Sequence, residues 1–168
     1  MVQFTHLERS ILDAICMVER PSMPKLREVL STAVASTREN TGHGFYTRLQ
    51  LTDSDDGPWT QIIDGPSARM LDMGDDAVMG FILWCSQRGP ETLEGFQYGD
   101  AAGNTVDLHT FDLEMLRFRL IIHMADHVHG TCGADSPPLA AKDRIILYFG
   151  ISGGRFSPER WKLLHRAQ

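Results

Sequence analysis

The most constraining feature of this 168-residue chain is a central run from Val78 to Cys85 in which nearly every side chain is apolar. Such a run is typical of a strand that is covered on both faces of a sheet. A short turn at residues 87–90 follows, and the segment from Thr92 to Tyr98 then alternates between apolar and polar residues. Two β segments joined by a short turn form a hairpin. We therefore expect this hairpin to lie inside an antiparallel sheet.

Two helices are predicted ahead of the sheet. Thr5 and Glu8 form a capping-box pattern, in which each side chain bonds the backbone N–H of the other residue. Apolar residues recur at helical spacing up to Pro21, and a second helix follows Ser22. The apolar face of the second helix comprises Leu26, Val29, Leu30, Ala33 and Val34. Helices joined by so short a connection pack as an antiparallel hairpin.

Strand character begins after Arg38 and continues from Phe45 to Leu51. The next region predicts one more strand, either around Gln61 to Asp64 or around Ala68 to Asp72. The alternating residues from Phe111 to Met124 predict a strand with a bulge. A helix that starts near Thr110 is the alternative for this stretch.

The end of the chain predicts a strand from Ile145 to Ile151 and a helix that begins at Ser157. The fold class is therefore α+β, with an N-terminal helical hairpin packed on an antiparallel β-sheet and a C-terminal strand and helix. A chain of this length is expected to form a single domain, residues 1–168.

The negative charge of the chain is concentrated in its middle. The net charge is −6, and residues 51–100 carry ten acidic residues against the two bases Arg69 and Arg88. This charge repels nucleic acid and attracts a basic protein. We expect a basic protein partner, no nucleic acid and no membrane; acidic loops that only keep the chain soluble are the alternative. The residues expected to contact the partner are Asp53, Asp55, Asp56, Asp72, Asp75 and Asp76.

The cysteines and the absence of sorting signals predict a cytoplasmic protein. Cys16, Cys85 and Cys132 are odd in number and widely spaced, as in proteins of a reducing compartment. No apolar run approaches the ~20 residues that span a bilayer. The first six residues lack the charged start and apolar stretch of a signal peptide.

The densest group of potential metal ligands comprises His123, His127, His129 and Cys132. Zn²⁺ accepts His and Cys ligands in a tetrahedral site. However, neither a His-Glu-x-x-His nor a Cys-x-x-Cys pattern accompanies these residues. We therefore expect no cofactor, with a zinc site at this group as the alternative.

Other motifs have simple structural explanations. The Gly-x-Ser-x-Gly match at residues 150–154 is followed by too few partners for a hydrolase, so it predicts a turn. The acidic residues 53–57 resemble part of a calcium loop, but their glycine falls one place early, which favours an acidic turn. Arg38 and Glu39 predict an ion pair that fastens the second helix to the first strand, with orientation of a ligand or partner as the alternative. Trp59 and Trp84 are expected to be core or edge aromatics.

Three glycine-and-aromatic motifs follow the predicted helices in a distinctive order. They are Arg38-Glu39-x-Thr41-Gly42-x-Gly44-Phe45-Tyr46-Thr47, Gly80-Phe81-Ile82-Leu83 and Leu93-Glu94-Gly95-Phe96. This order resembles a family of small, uncharacterised bacterial cytoplasmic proteins that have a helical hairpin followed by an antiparallel sheet. The resemblance covers residues 5–118, so residues 119–168 form a C-terminal extension. It implies a fold and carries no catalytic residue with it.

In size, acidity and lack of a complete catalytic set, the chain is also similar as a class to bacterial immunity proteins, which neutralise a toxin domain by binding it. We therefore expect a non-enzymatic protein-binding module of the immunity type. A metal-binding protein or metal-dependent enzyme built on the His123, His127, His129 and Cys132 group is one alternative. A structural or assembly protein that self-associates through an exposed strand edge is another.

Overall fold

Two α-helices and an eight-stranded sheet dominate the part of the chain that the computed structural model describes. That part comprises residues 2–18, 23, 25–52, 59–74, 77–98, 105–124 and 144–149. The helices are α1 (His6–Val18) and α2 (Leu26–Thr32). The strands are β1 (Val34–Asn40), β2 (Gly44–Gln50), β3 (Ile62–Asp64), β4 (Ser67–Met70), β5 (Val78–Ser86), β6 (Gly89–Gln97), β7 (Phe118–Met124) and β8 (Arg144–Phe149). The α+β fold class is confirmed.

The sheet is antiparallel in every pairing, in the order β1-β2-β6-β5-β4-β7-β8. The predicted hairpin is its centre, because β5 and β6 pair from Met79–Gln97 to Ser86–Gly89. Strand β3 also pairs with β5, beyond the end of β4. Both candidate segments between residues 61 and 72 are therefore strands, and together they follow one edge of β5. The interruption between them falls at Gly65 and Pro66, and proline has no N–H to donate to a ladder.

The predicted capping box at the start of α1 is confirmed. The Thr5 N–H donates to Glu8 Oε2 at 2.6 Å, and the Glu8 N–H donates to Thr5 Oγ1 at 3.1 Å. The apolar face of α1 then packs into the core through Leu7, Ile11 and Ile15. Helix α2 joins it there, and Arg9 Nη1 donates to the carbonyl of Leu30 at 3.1 Å.

Both helices contribute to one hydrophobic core on one face of the sheet. The strand residues of this core alternate along each strand, because successive side chains point to opposite faces. They include Phe45 on β2, Phe81 and Leu83 on β5, Leu93 on β6 and Phe118 and Leu120 on β7. Burying each such side chain stabilises the fold by roughly 1.5–3 kcal/mol. We call this side of the sheet the core face.

Two predicted boundaries near the sheet are wrong. Helix α2 ends at Thr32, Ala33 is extended with φ −65° and ψ 144°, and Val34 already belongs to β1. Strand β1 thus begins four residues before Arg38. The β-branched side chain of Val34 favours a strand over a helix end.

The predicted strand between Phe111 and Met115 is also wrong. A 3-10 helix occupies Leu108–Thr110, because the Asp107 side chain accepts a hydrogen bond from the backbone of His109. The Asp112 carboxylate accepts from the Glu114 N–H at 3.0 Å, which bends the chain again. Only the second half of the alternating stretch forms a strand, β7.

The remaining predictions concern the end of the chain and the helix pair. The predicted late strand is present as β8, while residues 150 and 151 and the helix predicted from Ser157 lie outside the described residues. The antiparallel hairpin geometry of the two helices stays a prediction. Neither α1 nor α2, nor any other described helix, has the length and hydropathy needed to cross a bilayer.

Candidate functional site

The predicted acidic surface is represented in the described residues by Asp72, at the turn after β4. Its Oδ1 accepts from Arg117 Nε at 2.7 Å, and its Oδ2 accepts from the Arg117 N–H at 2.8 Å. The hydrogen bonds from the Arg117 side chain, together with the one from its backbone, hold the pKa of Asp72 below its usual range. This carboxylate therefore already has a cationic partner within the chain. The other predicted contact residues, Asp53, Asp55, Asp56, Asp75 and Asp76, lie outside the described residues.

The predicted metal group is placed only in part. The backbone of His123 lies in β7, paired with Ile145 of β8. His127, His129 and Cys132 lie outside the described residues, as do the Gly150–Gly154 motif and the acidic residues 53–57. Within the described ranges, no three His, Cys, Asp or Glu side chains come together as a metal site.

The interpretation of Arg38 and Glu39 as an ion pair is wrong. Arg38 pairs with Glu8, through its Nε at 2.7 Å and its Nη2 at 2.7 Å. Because β1 is extended, Arg38 and Glu39 point to opposite faces of the sheet. The ion pair therefore fastens the first helix, not the second, to the sheet, and Glu39 is exposed on the opposite face.

On that opposite face, which we call the outer face, several side chains in the middle of the sheet are exposed. The expectation that Val78 to Cys85 is covered on both sides is wrong at Trp84, because the two described helices, α1 and α2, pack on the core face. Trp84 is 39% exposed and Tyr46 is 40% exposed, although β5 and β2 are internal strands. Ile62 on β3 is 45% exposed and Tyr98, just after β6, is 57% exposed. Trp84 is thus neither a core nor an edge aromatic.

A single carboxylate organises the centre of the outer face. Glu94 on β6 lies between Tyr46 on β2 and Trp84 on β5. The Tyr46 hydroxyl donates to Glu94 Oε1 at 3.0 Å, and the Trp84 indole Nε1 donates to Glu94 Oε2 at 2.7 Å. The hydrogen bond from Tyr46 to Glu94, together with the negative charge of Glu94, raises the pKa of the Tyr46 hydroxyl. The arrangement holds two exposed rings and one anionic group in fixed relative positions.

A second aromatic pair lies beside this carboxylate. The rings of Phe96 and Tyr98 meet edge to face with 5.3 Å between their centroids. They lie over Gly80 of β5, where an added Cβ would come within 2.8 Å of the Tyr98 hydroxyl. Only glycine allows the rings to approach the strand this closely. The outer face therefore presents four aromatic residues over neighbouring strands: Tyr46, Trp84, Phe96 and Tyr98.

A cleft of about 580 Å³ adjoins the face at the start of β3. Its lining includes Trp59, Ile62, Trp84 and Cys85. Burial raises the pKa of the Cys85 thiol to about 12, so the thiol is protonated and poorly nucleophilic at neutral pH. The described lining of the cleft offers apolar and indole surfaces for binding, and its one thiol, that of Cys85, is not an activated nucleophile.

The side chain of His109, which pairs with Asp107, has a structural role. His109 Nδ1 lies 2.9 Å from Asp107 Oδ1, and its Nε2 lies 3.1 Å from the carbonyl oxygen of Asn40. Both ring nitrogens are therefore engaged in holding the 3-10 helix against the β1–β2 turn. The ring also packs against Gly42, whose φ of +82° is readily adopted by glycine.

Comparison of the chain with protein-family models, with curated proteins and with solved structures finds no match. A sequence signal for the outer face is present in the alternation of β6, whose residues Glu94 and Phe96 lie on this face. The signal that obscured it was the uninterrupted apolar run of β5, which suggested burial on both sides.

Proposed function

We propose that this chain is a non-enzymatic bacterial cytoplasmic protein of the immunity type, which binds and neutralises a basic toxin domain. The observation that carries the proposal is the outer face, where exposed aromatic side chains surround the Glu94 carboxylate on internal strands. Aromatic residues with a fixed polar group are typical of the centres of protein interfaces. Their exposure on rigid strands provides a binding surface without any reordering of the backbone.

The charge distribution supports a basic partner for this surface. The acid-rich stretch of residues 53–76 includes β3 and β4, which both pair with β5 beside the aromatic centre. Its Asp64 is exposed on the outer face. Negative charge at the border of an apolar patch steers a positively charged partner toward it and raises the association rate.

The chemistry of the described residues supports binding over catalysis. The buried thiol of Cys16 and the half-buried thiol of Cys85 have raised pKa values, and the His109 ring is held on both sides. At the centre of the outer face, the Glu94 carboxylate and the Tyr46 hydroxyl hydrogen-bond to each other. This is an arrangement for holding another molecule.

The experiment is to immobilise the full chain, capture its binder from the native host and measure the association rate of the purified binder at low and high salt. Replacement of Asp55, Asp56, Asp75 and Asp76 by Asn should slow association by roughly tenfold at low salt and flatten its salt dependence. Glu28→Gln on α2 is the control, because Glu28 is exposed on the helical side of the molecule. The proposal would be contradicted if the binder associated with the wild type and with the quadruple variant at the same rate.

A further inference from the structure

We propose that the outer face recognises a basic α-helix of the partner, which lies across the strands with Lys or Arg side chains over three carboxylates. The inference rests on the proposed function, since it specifies which element of a basic partner is bound. It follows from the order of residues in one cross-strand row. That row comprises Glu39, Tyr46, Glu94, Ile82 and Asp64, and we call it the acidic row.

The register of the sheet places these five residues side by side. Glu39 pairs with Tyr46, and Tyr46 pairs with Glu94. Glu94 pairs with Ile82, and Ile82 pairs with Asp64. The row therefore runs across β1, β2, β6, β5 and β3, and its acidic side chains alternate with the aromatic Tyr46 and the aliphatic Ile82. Glu39, Tyr46 and Asp64 are exposed, while Glu94 and Ile82 are half-buried between them.

The spacing of the acidic row matches a helix. Neighbouring strands lie about 4.8 Å apart, so successive carboxylates are about 9.6 Å apart and the row is about 19 Å long. On an α-helix, positions seven residues apart are separated by about 10.5 Å, and positions three or four apart by about 4.5–6 Å. A basic residue at every seventh position, with apolar residues three and four places later, therefore meets the carboxylates and the intervening Tyr46 and Ile82 in turn.

An extended segment does not match the row. Side chains on one side of a β-strand are about 6.7 Å apart, so a strand laid along the row would place its second basic residue between two carboxylates. A loop carries no fixed period at all. Of the regular elements, the helix is the one whose period agrees with the row over all three carboxylates.

The neighbouring rows define where such a helix lies. On one side, Arg48 pairs with both Thr37 and Thr92, so a basic helix displaced in that direction would meet a like charge. On the other side, Phe96 and Tyr98 present aromatic surface for the apolar flank of the helix. The face therefore favours one position across its width.

Glu94 is suited to bind the central basic side chain. A carboxylate accepts about four hydrogen bonds, and Tyr46 and Trp84 supply two. The remaining capacity is available to a guanidinium or ammonium group. The exposed indole of Trp84 adds a cation–π contact to a charge held at this point.

The experiment uses the full chain and a fluorescent, alanine-based helical peptide about 18 residues long. The peptide carries Arg at every seventh position and Leu three and four places after each Arg. Fluorescence anisotropy measures its Kd, and circular dichroism measures its helicity in the complex. The comparison peptide has the same composition with its arginines adjacent. We expect the spaced peptide to bind more tightly and to gain helicity when bound.

Substitution of Glu39 by Gln together with Asp64 by Asn should weaken binding of the spaced peptide roughly fivefold, because two exposed ion pairs are lost. Glu28→Gln is the matched control and should leave the Kd unchanged. Equal affinity of the two peptides, or an unchanged Kd for the double variant, would overturn the inference. A host binder that depends on Asp55, Asp56, Asp75 and Asp76 but not on Glu39 and Asp64 would overturn it too, while the proposed function would stand.

Two other occupants are tested in the same series. If the full chain self-associates in sedimentation experiments and the Glu39 and Asp64 substitutions abolish this, a second copy covers the face and the inference fails. If the spaced peptide binds the full chain only after Arg155, Arg160, Lys162 and Arg166 are replaced by Gln, the stretch of residues 150–168 occupies the row and the inference also fails.

Discussion

The Glu8 carboxylate and the Arg38 guanidinium form a buried, bidentate ion pair between the first turn of α1 and strand β1. The Glu8 side chain is 1% exposed and the Arg38 side chain 11%. Glu8 also accepts from the Thr47 hydroxyl and from the Thr5 N–H, so one carboxylate connects α1, β1 and β2. Loss of one partner leaves the other charge buried and unpaired. The resulting loss in the free energy of unfolding is larger than the net contribution of the intact pair.

Arg38→Met should therefore lower the free energy of unfolding by about 3–5 kcal/mol, measured by urea denaturation. The methionine retains much of the apolar stem but leaves Glu8 without its cation. Arg48→Met, on the exposed face of the next strand, is the control and should change stability by about 0.5 kcal/mol or less. A loss below about 1 kcal/mol for Arg38→Met would show that Glu8 is satisfied in another way.

Gly95→Ala should destabilise the fold by about 1–3 kcal/mol, because the core face leaves no room for a methyl group there. A Cβ on Gly95 would lie 2.6 Å from Cε1 and 2.7 Å from Cζ of Phe45, the residue directly opposite on β2. Urea denaturation of Gly95→Ala, Phe45→Leu and the double variant checks this. The double variant should be more stable than the sum of the single losses predicts, and strict additivity would argue against the contact.

Cys16 and Cys85 should resist alkylation in the folded protein. Burial raises the pKa of Cys16 to about 11 and that of Cys85 to about 12. At pH 8 each thiol should therefore react with iodoacetamide slower than a free cysteine by roughly two orders of magnitude or more. Mass spectrometry of a Cys132→Ser variant isolates these two thiols, and denaturation in urea should restore rapid labelling. Rapid labelling of the native variant would contradict the raised pKa values of the two thiols.

The Tyr46 hydroxyl should titrate above the ordinary tyrosine range. Its hydrogen bond to Glu94, together with the charge of Glu94, raises its pKa. The stabilisation from this pair is therefore present below the ordinary tyrosine pKa of about 10 and is lost as the pH rises through the folded-state value. NMR of ring-labelled tyrosine measures the midpoint. Glu94→Gln should lower it toward the ordinary range, whereas Glu91→Gln should not, and an unshifted midpoint in Glu94→Gln would contradict the contact.

Local patterns in this sequence predict local structure well. The capping box of Thr5 and Glu8 spans three residues, so both partners are visible in one short window. The β5–β6 hairpin is equally local, because its strands are joined by the two-residue turn at Gln87 and Arg88. The predicted capping and the predicted hairpin both follow from chemistry that neighbouring residues complete among themselves.

The same local patterns could not predict contacts between residues that are far apart in the sequence. Glu39 is next to Arg38 in sequence, but the partner of Arg38 is Glu8, 30 residues away, because the extended backbone sends adjacent side chains to opposite faces. The exposure of Tyr46 and Trp84 on the outer face could not be predicted either. An apolar strand shows which residues avoid water, but the placement of both helices on one side depends on the whole chain.

The alternation of core-face and outer-face residues along β2, β6, β5 and β3 has an evolutionary consequence. Substitution at Tyr46, Glu94, Ile82 or Trp84 changes the chemistry of the outer face, while the residues that hold the helices, such as Phe45, Leu93 and Leu83, remain untouched. Surface chemistry and folding stability are thereby carried by separate sets of positions within the same strands. The outer face of such a scaffold can diversify rapidly, because a new surface does not require a new interior.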